Sequence, residues 1–181
     1  MEIKKSNEIA GKYLVLDNAN EVASFIFQKQ ELEPYSNIKN GKWLSNFDYV
    51  SIYNMQTGIN SSDLVDKIIT LAINTCKKKQ IRSLRSHIIK NNDEYKTILK
   101  SHGFKHCGFV NIEEIEYAAY ELLVIPYVLG DRVMLKKEHP CGGNTFKISR
   151  LGMDIKLECE KCGSIVWLKR SDLNKRVKKR L

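Results

Sequence analysis

Three cysteines in the last third of the chain constrain its folding more than any other feature. Cys159 and Cys162 form a Cys-x-x-Cys motif followed by Gly163, and Cys141, also followed by glycine, lies 18 residues before Cys159. Residues 146–157 between them alternate apolar and polar side chains around a glycine turn, which predicts a β-hairpin. Because a hairpin brings its two ends together, we expect Cys141 to lie beside the Cys-x-x-Cys turn.

Three thiolates that meet at one point can hold a metal ion. Zinc takes four tetrahedral ligands, with Zn–S distances of about 2.3 Å, and His139 precedes Cys141 by two residues. The sequence therefore predicts a structural zinc site formed by His139, Cys141, Cys159 and Cys162. The alternatives are a water in place of the histidine, buried thiols without metal, and a redox-active pair. Two further cysteines are not expected to be ligands: Cys76 and Cys107.

The positive charge of the chain is concentrated in the same region. Residues 1–125 carry 16 Lys and Arg against 15 Asp and Glu, whereas residues 126–181 carry 14 against 6, an excess of +8. Pro126 interrupts a predicted terminal strand, so we predict two domains, residues 1–125 and 126–181. The excess favours a polyanionic partner such as RNA, a ribosome or DNA. The alternative is a lysine-rich surface that only keeps a small domain soluble.

The end of the chain is predicted to be a strand followed by a basic helix. Residues 164–168 favour a strand, and Ser171 is placed to cap a helix that runs to Leu181 with one apolar face. Phe146 and Trp167 are expected in the core, which leaves few aromatic rings for base stacking. The side chains predicted to contact phosphate groups are Lys169, Arg170, Lys175, Arg176, Lys178, Lys179 and Arg180.

The first domain alternates predicted strands and helices. Residues 12–17 and 21–28 flank a turn, a pattern typical of a hairpin. Residues 64–76 repeat apolar side chains at helical spacing, and Gly103 stands where a left-handed helix cap is expected. The other predicted elements are strands at 47–53, 81–88, 104–110 and 116–125 and a helix at 93–102.

This order of elements, with its loop at residues 55–61 and its Asn92 and Gly103-Phe104, resembles the core of the GNAT superfamily of N-acetyltransferases over residues 12–124. The resemblance implies an α/β (α+β) mixed sheet with flanking helices, and transfer of an acyl group from acetyl-CoA. In that family a glycine-containing turn before the helix holds the pyrophosphate, where backbone N–H groups and the helix dipole favour an anion. The residues that the resemblance assigns to acetyl-CoA are Gly58, Ile59, Asn60, Ser61 and Asn92.

Three features differ from the family pattern. Met55 and Asn60 replace the first and last signature residues of the phosphate loop, and Leu99 replaces the tyrosine that serves as general acid. Few residues precede Lys12, whereas family members usually begin with a strand and two helices that form the acceptor wall. We assign no catalytic residue, although Tyr95 lies one helical turn before Leu99. Three interpretations stay open: an active transferase, an acyl-CoA-binding protein without turnover, and a scaffold.

Residues 127–181 resemble a bacterial domain of unknown function, number 951. The matching segments are residues 129–131, 138–142, 148–152, 154–156, 159–163 and 170–171. The predicted architecture is therefore the GNAT-like sheet followed by a small zinc-stabilised β module with a C-terminal helix.

The opening ten residues are too polar for a signal peptide, and no apolar run approaches the roughly 18 residues of a membrane span. We expect a cytoplasmic protein without membrane contact, and a homodimer through an exposed sheet edge. The leading hypothesis is a GNAT-like acetyltransferase directed to a polyanion by its second domain. The competing hypothesis is a non-enzymatic RNA-, ribosome- or DNA-binding adaptor whose first domain is only a scaffold.

Overall fold

A computed structural model describes residues 2–29, 32–58 and 62–181. The chain divides into two compact units, Met1–Pro126 and Tyr127–Leu181. Three residues of the predicted phosphate loop, Ile59, Asn60 and Ser61, lie outside the described residues. None of the helices in the described ranges has the length and apolar character required to span a membrane.

The first unit is a seven-stranded mixed sheet with two longer helices and one helix of four residues. The sheet order is β1-β2-β3-β4-β5-β7-β6, and only β4 and β5 run parallel. The elements are β1 (Glu2–Lys5), β2 (Lys12–Asp17), β3 (Asn20–Gln28), α1 (Glu33–Ser36), β4 (Tyr49–Thr57), α2 (Ser62–Lys78), β5 (Ser83–Ile89), α3 (Asp93–Ser101), β6 (Lys105–Ile112) and β7 (Ile115–Leu123). This architecture confirms the predicted GNAT-like fold class.

Local sequence explains the ends of these elements. The β2–β3 hairpin is confirmed, with Asn18 and Ala19 both at positive φ in its turn, the backbone twist that suits a two-residue hairpin. Asn92 caps α3, since its side chain accepts a hydrogen bond from the Tyr95 N–H. Gly103 follows that helix at φ +86°, as predicted.

The predicted helical periodicity is also confirmed. The apolar face of α2 is buried in the main core, where Val65, Ile68 and Ile69 are each no more than 1% exposed. Cys76 belongs to the same core, and Cys107 is buried in β6. Neither cysteine belongs to the cluster of thiols in the second unit.

The second face of the sheet is covered by residues 32–48, a segment in which the sequence predicts no helix. Residues 32–48 contain the short helix α1, and Lys39 forms an isolated bridge with Phe109 of β6. Tyr35, at 2% exposure, forms the centre of a small apolar cluster beneath this segment. The edge strand β1 was not predicted, and it carries charged residues along an exposed edge. A homodimer through such an edge stays a prediction.

The second unit is a five-stranded antiparallel sheet with one short helix. The order is β11-β10-β9-β8-β12. Its elements are β8 (Arg132–Leu135), β9 (Thr145–Arg150), β10 (Asp154–Cys159), β11 (Ile165–Lys169), α4 (Arg170–Arg176) and β12 (Val177–Arg180). Inward-facing Phe146, Ile148, Ile155 and Leu157 form its core, which confirms the predicted β9–β10 hairpin.

Three predictions for the end of the chain were wrong. The last helix ends at Arg176, and its N-cap position is Lys169 rather than Ser171. Val177 begins β12, which pairs with β8. Backbone pairing along an otherwise free strand edge outweighs the continued helical spacing of apolar residues. Trp167 is 51% exposed instead of lying in the core.

Candidate functional site

The two parallel strands of the first unit separate halfway along their length. Pairing between β4 and β5 is confined to residues 49–52 against 83–86. Beyond that point β4 pairs only with β3, and β5 pairs with β7. Asn54 has φ +49°, and the β3–β4 register shifts beside it, so a bulge bends β4 where the strands part.

The gap between the separated strands forms a cavity of about 470 Å³. Strand β5 contributes His87, β4 contributes Tyr53 and Met55, and the start of α3 contributes Asn92 and Tyr95. The two strands are not paired with each other across this gap, and the cavity lining mixes polar and apolar side chains.

His87 is the titratable group in this cleft that sequence reasoning missed. It is 9% exposed, and its Nδ1 lies 2.9 Å from the hydroxyl oxygen of Tyr35. Burial lowers the pKa of His87 to about 4, so the ring is neutral near pH 7. Burial also raises the pKa of Tyr35 above its ordinary range. Among the described residues, none forms a hydrogen bond with the Nε2 of His87.

The two described residues that the resemblance assigns to acetyl-CoA, Asn92 and Gly58, differ in their surroundings. Asn92 lines the cleft, but its side-chain oxygen is engaged as the α3 cap, 3.0 Å from the Tyr95 nitrogen. Gly58 is exposed at the end of β4, and among the described residues no heavy atom lies within 4 Å of a Cβ placed there. Leu99 is 1% exposed in the core. The Tyr95 hydroxyl donates to the carbonyl oxygen of Met55 at 3.2 Å.

A buried ion pair holds the covering segment against the sheet. Glu121 is fully buried, and its Oε1 lies 3.6 Å from the Nε of Arg85. The same carboxylate accepts hydrogen bonds from the hydroxyls of Ser45 and Ser83 at 2.7 and 2.6 Å and from the Leu44 N–H. Burial of a charge requires such compensation, so this network fixes residues 44–45 on the second face of the sheet.

A second cavity, of about 670 Å³, lies beside this network. Its lining includes Tyr35, Trp43, Tyr49 and Arg85. The Arg85 guanidinium carbon lies 4.2 Å from the ring centroid of Trp43 and 4.0 Å from that of Tyr49. The Tyr35–His87 hydrogen bond therefore joins a residue of this cavity to a residue of the cleft.

The second unit brings together the four side chains predicted to bind zinc. The ligand atoms of His139, Cys141, Cys159 and Cys162 all lie within 4.8 Å of one another. The Cys141 and Cys159 sulfurs are 3.6 Å apart, and the His139 Nδ1 lies 3.2 Å from the Cys141 sulfur and 3.5 Å from the Cys162 sulfur. Two sulfurs bound to one tetrahedral zinc at about 2.3 Å would be about 3.8 Å apart.

Tight turns at glycines hold these four groups. Gly142 and Gly163 follow their cysteines at φ +79° and +74°, and their N–H groups donate to the carbonyl oxygens of His139 and Cys159. Gly143 packs directly on the cluster, since a Cβ there would lie 3.3 and 3.4 Å from the sulfurs of Cys159 and Cys141. Backbone geometry therefore aims all four side chains at one point.

The chemistry of the donor set fits zinc. Hydrogen bonding to Ser164 lowers the pKa of Cys162 to about 6, which favours the thiolate that a metal requires. Burial raises the pKa of Cys141, and its neighbouring thiols act in the same direction, because adjacent thiolates repel without a cation. Three sulfurs and one imidazole nitrogen are a four-ligand set of the kind found in structural zinc sites.

The predicted phosphate-contacting residues lie on three consecutive elements at the end of the chain. Lys169 ends β11, three residues belong to α4, and three to β12. Six of the seven are exposed, whereas Arg180 is half-buried and donates to the Tyr127 hydroxyl at 3.1 Å. Its guanidinium also stacks on that ring. Arg180 therefore supports the fold of the second unit, and six exposed cations remain.

In the first unit the parallel strands β4 and β5 separate around a cleft, and the helix α2 follows β4. This arrangement gives the first unit the GNAT acetyltransferase fold. It is similar to a GNAT-family acetyltransferase from Streptococcus agalactiae 2603, with a TM-score of 0.54 and 16% identity. The similarity covers 62% of this chain and 65% of that one, so this chain spans less than two thirds of that relative. At this identity the likeness shows the fold alone.

The second unit provides the family assignment. Residues 127–181 match the family model described as bacterial protein of unknown function (DUF951). The chain is 47% identical over 51 residues to the uncharacterized protein YyzM of Bacillus subtilis (strain 168), which covers 28% of this chain and 75% of that protein. Through its second unit, the chain belongs to the DUF951 family.

Proposed function

We propose that the first unit binds acyl-CoA in the cleft between β4 and β5 and transfers the acyl group to an amine. The observation that carries this proposal is the separation of these strands into a cleft lined by His87, Asn92 and Tyr95. The GNAT fold supports it, because the positive end of the α2 dipole would favour the pyrophosphate of CoA. Gly58 is the assigned loop residue that the structure describes. Its φ is outside the left-handed region, and no described part of the chain approaches it closely enough to require glycine.

In such a transfer the amine nitrogen attacks the thioester carbonyl, a C–N bond forms, and the C–S bond breaks. The amine nitrogen loses one proton as the amide forms, and the departing thiolate takes one up, so the transfer needs groups that accept and donate a proton but no net proton. Tyr95 has a hydroxyl at the cleft, whereas buried Leu99 has no proton to give. Burial raises the pKa of Tyr95, so this hydroxyl keeps its proton near pH 7.

Calorimetry with acetyl-CoA and CoA tests this function. A matched pair of variants locates binding: Ile89→Trp fills the mouth of the cleft, and Leu71→Trp places the same bulk on an exposed site of α2. We expect binding that Ile89→Trp weakens at least about 10-fold and Leu71→Trp leaves unchanged. No heat at millimolar cofactor would eliminate the proposal. Thiol release with amine acceptors separates turnover from binding alone.

A second function is favoured by the four ligand atoms that lie within 4.8 Å of one another. We infer that His139, Cys141, Cys159 and Cys162 hold one structural zinc ion. Elemental analysis should find one zinc per chain, retained in Cys107→Ala and lost when Cys159 and Cys162 are both replaced by serine. Metal-free protein with a reversible disulfide would favour the redox alternative.

The charge of the second unit supports a third part of the proposal, binding of a polyanion. The unit carries 14 Lys and Arg against 6 Asp and Glu, and exposed cations on α4 and β12 suit phosphate contacts. RNA, a ribosomal site and DNA all offer such phosphates. Filter binding with RNA and DNA over a salt series is the test, and a flat response to salt would eliminate phosphate contacts.

A further inference from the structure

An aromatic ring lies exposed on the outer face of the second unit, where the sequence predicts a core residue. Trp167 of β11 is 51% exposed, and Ile165 on the same face is 42% exposed. The inner neighbour Leu168 is buried at 7% exposure. The core of the unit is therefore complete without Trp167, and the large ring contributes to a surface rather than to packing.

The register of the sheet places cations beside this ring. Lys156 of β10 pairs with Trp167 on one side and with Arg150 of β9 on the other. A bulge makes this possible: Leu157 pairs with Ile148, but Lys156 pairs with Arg150, so β9 advances two residues for one on β10. Because paired residues share a face, Arg150, Lys156 and Trp167 form one row across three strands.

Two details show the electrostatic character of this row. The guanidinium carbon of Arg150 lies 5.7 Å from the ring centroid of Trp167, within the range of a cation–π contact. Lys169 follows on the same face, opposite Asp154, and Ile165 lies opposite Glu158. The two acids lie on neighbouring rows, so the row with the exposed ring carries only positive charge.

An exposed aromatic ring flanked by cations is the arrangement that binds single-stranded nucleic acid: bases stack on the ring while cations contact the backbone phosphates. We propose that Trp167, Arg150, Lys156 and Lys169 form a binding surface for single-stranded nucleic acid, with one base stacked on Trp167. A duplex does not fit this surface equally well, because its bases already stack on one another. The inference rests on the polyanion binding proposed above and adds the location and the strand state.

Trp167 fluorescence provides a direct test, since the chain has 2 tryptophans. In full-length zinc-loaded Trp43→Phe protein, Trp167 is the remaining indole. Titration with an oligo(dT) or oligo(U) strand should quench its emission and shift it, whereas a duplex of equal length should leave the emission nearly unchanged. Trp167→Ala should weaken single-strand binding about 10- to 100-fold, and Trp167→Phe should retain most of the affinity.

Ile165→Ala is the matched control, because it removes an exposed apolar side chain two residues away on the same strand. We expect less than a 2-fold change in affinity, and unchanged zinc content will show that each variant is folded. Equal, salt-dependent binding of single strands and duplex without quenching, and unaffected by Trp167→Ala, would overturn this surface but leave polyanion binding standing. Absence of binding to every oligonucleotide by folded, zinc-loaded protein would overturn both.

Discussion

Replacing Gly143 by alanine tests whether the thiol cluster of the second unit is as closely packed as its geometry indicates. The added Cβ would lie 2.8 Å from the Cβ of Lys161 and 3.3 and 3.4 Å from the sulfurs of Cys159 and Cys141. The φ of Gly143 is outside the left-handed region, so an effect cannot come from backbone strain. It must come from displacement of the cluster.

The expected cost follows from what must move. The Lys161 Cβ is fixed by its backbone, and both sulfurs are held by the turns that contain them. Inserting a methyl group into such packing costs about 1–3 kcal/mol. At about 2 kcal/mol, we expect zinc affinity to fall about 30-fold and the Tm of a domain of this size to fall by about 8–16 °C.

Gly152→Ala provides the control. Gly152 lies in the hairpin turn of the same unit, also outside the left-handed region, and its Cβ would meet only the Asp154 carbonyl oxygen at 3.4 Å. Thermal unfolding followed by zinc release to an indicator dye measures both variants in the full chain. If Gly143→Ala released zinc within 1 °C or so of Gly152→Ala, the cluster would not be closely packed, and the inferred zinc geometry would be wrong.

Three further predictions concern the first unit. Gly58→Ala should leave the unfolding free energy within about 0.5 kcal/mol of the parent, because no described residue lies within 4 Å of the added Cβ. It should nevertheless weaken acetyl-CoA binding in calorimetry if a ligand approaches that backbone, and unchanged affinity would remove Gly58 from the site. Arg85→Leu should destabilise the chain by about 3 kcal/mol in urea unfolding, because it leaves Glu121 buried without its cation, whereas the additional change Glu121→Gln should restore part of the loss. Burial lowers the pKa of His87 from 6.5 to about 4, so between these two pH values the unfolded chain binds more protons than the folded chain. The part of the unfolding free energy that depends on a neutral His87, about 3 kcal/mol, should therefore be complete above pH 6.5 and lost as the pH falls towards 4. His87→Gln should flatten that slope.

Much of the fold follows from local sequence. Residues 64–76 have one apolar face at helical spacing, and the β2–β3 and β9–β10 hairpins are marked by turn residues between alternating strands, so short-range rules suffice. The convergence of Cys141 with Cys159 also follows, because a hairpin between two residues determines where its ends meet. Here the signal and the structure both lie within a few dozen consecutive residues.

These short-range sequence rules fail where a strand pairs with a distant part of the chain. The spacing of Leu173, Val177 and Leu181 suits a helix. Val177 nevertheless begins a strand, because it pairs with the free edge of β8, some 40 residues earlier in the chain. Likewise a bulge at the end of β9, visible only once the register with β10 is known, brings Arg150 beside Trp167. Neither the β8–β12 pairing nor the bulge in β9 can be recognised from the sequence of the residues involved.

The polar face of β5 shows the same limit and bears on the proposed chemistry. Ser83, Arg85 and His87 lie on one face of β5, and Leu84 and Ile88 lie on the other. Such a polar face normally indicates exposure to solvent, yet these three residues are at most 9% exposed beneath residues 32–48. In GNAT relatives the acceptor wall is expected from helices near the N-terminus, whereas here the described N-terminal residues form β1–β3. The segment 32–48, fixed by Glu121, covers the sheet instead, and Tyr35 on it reaches His87 in the cleft. If the first unit transfers an acyl group, acceptor specificity should therefore reside in residues 32–48.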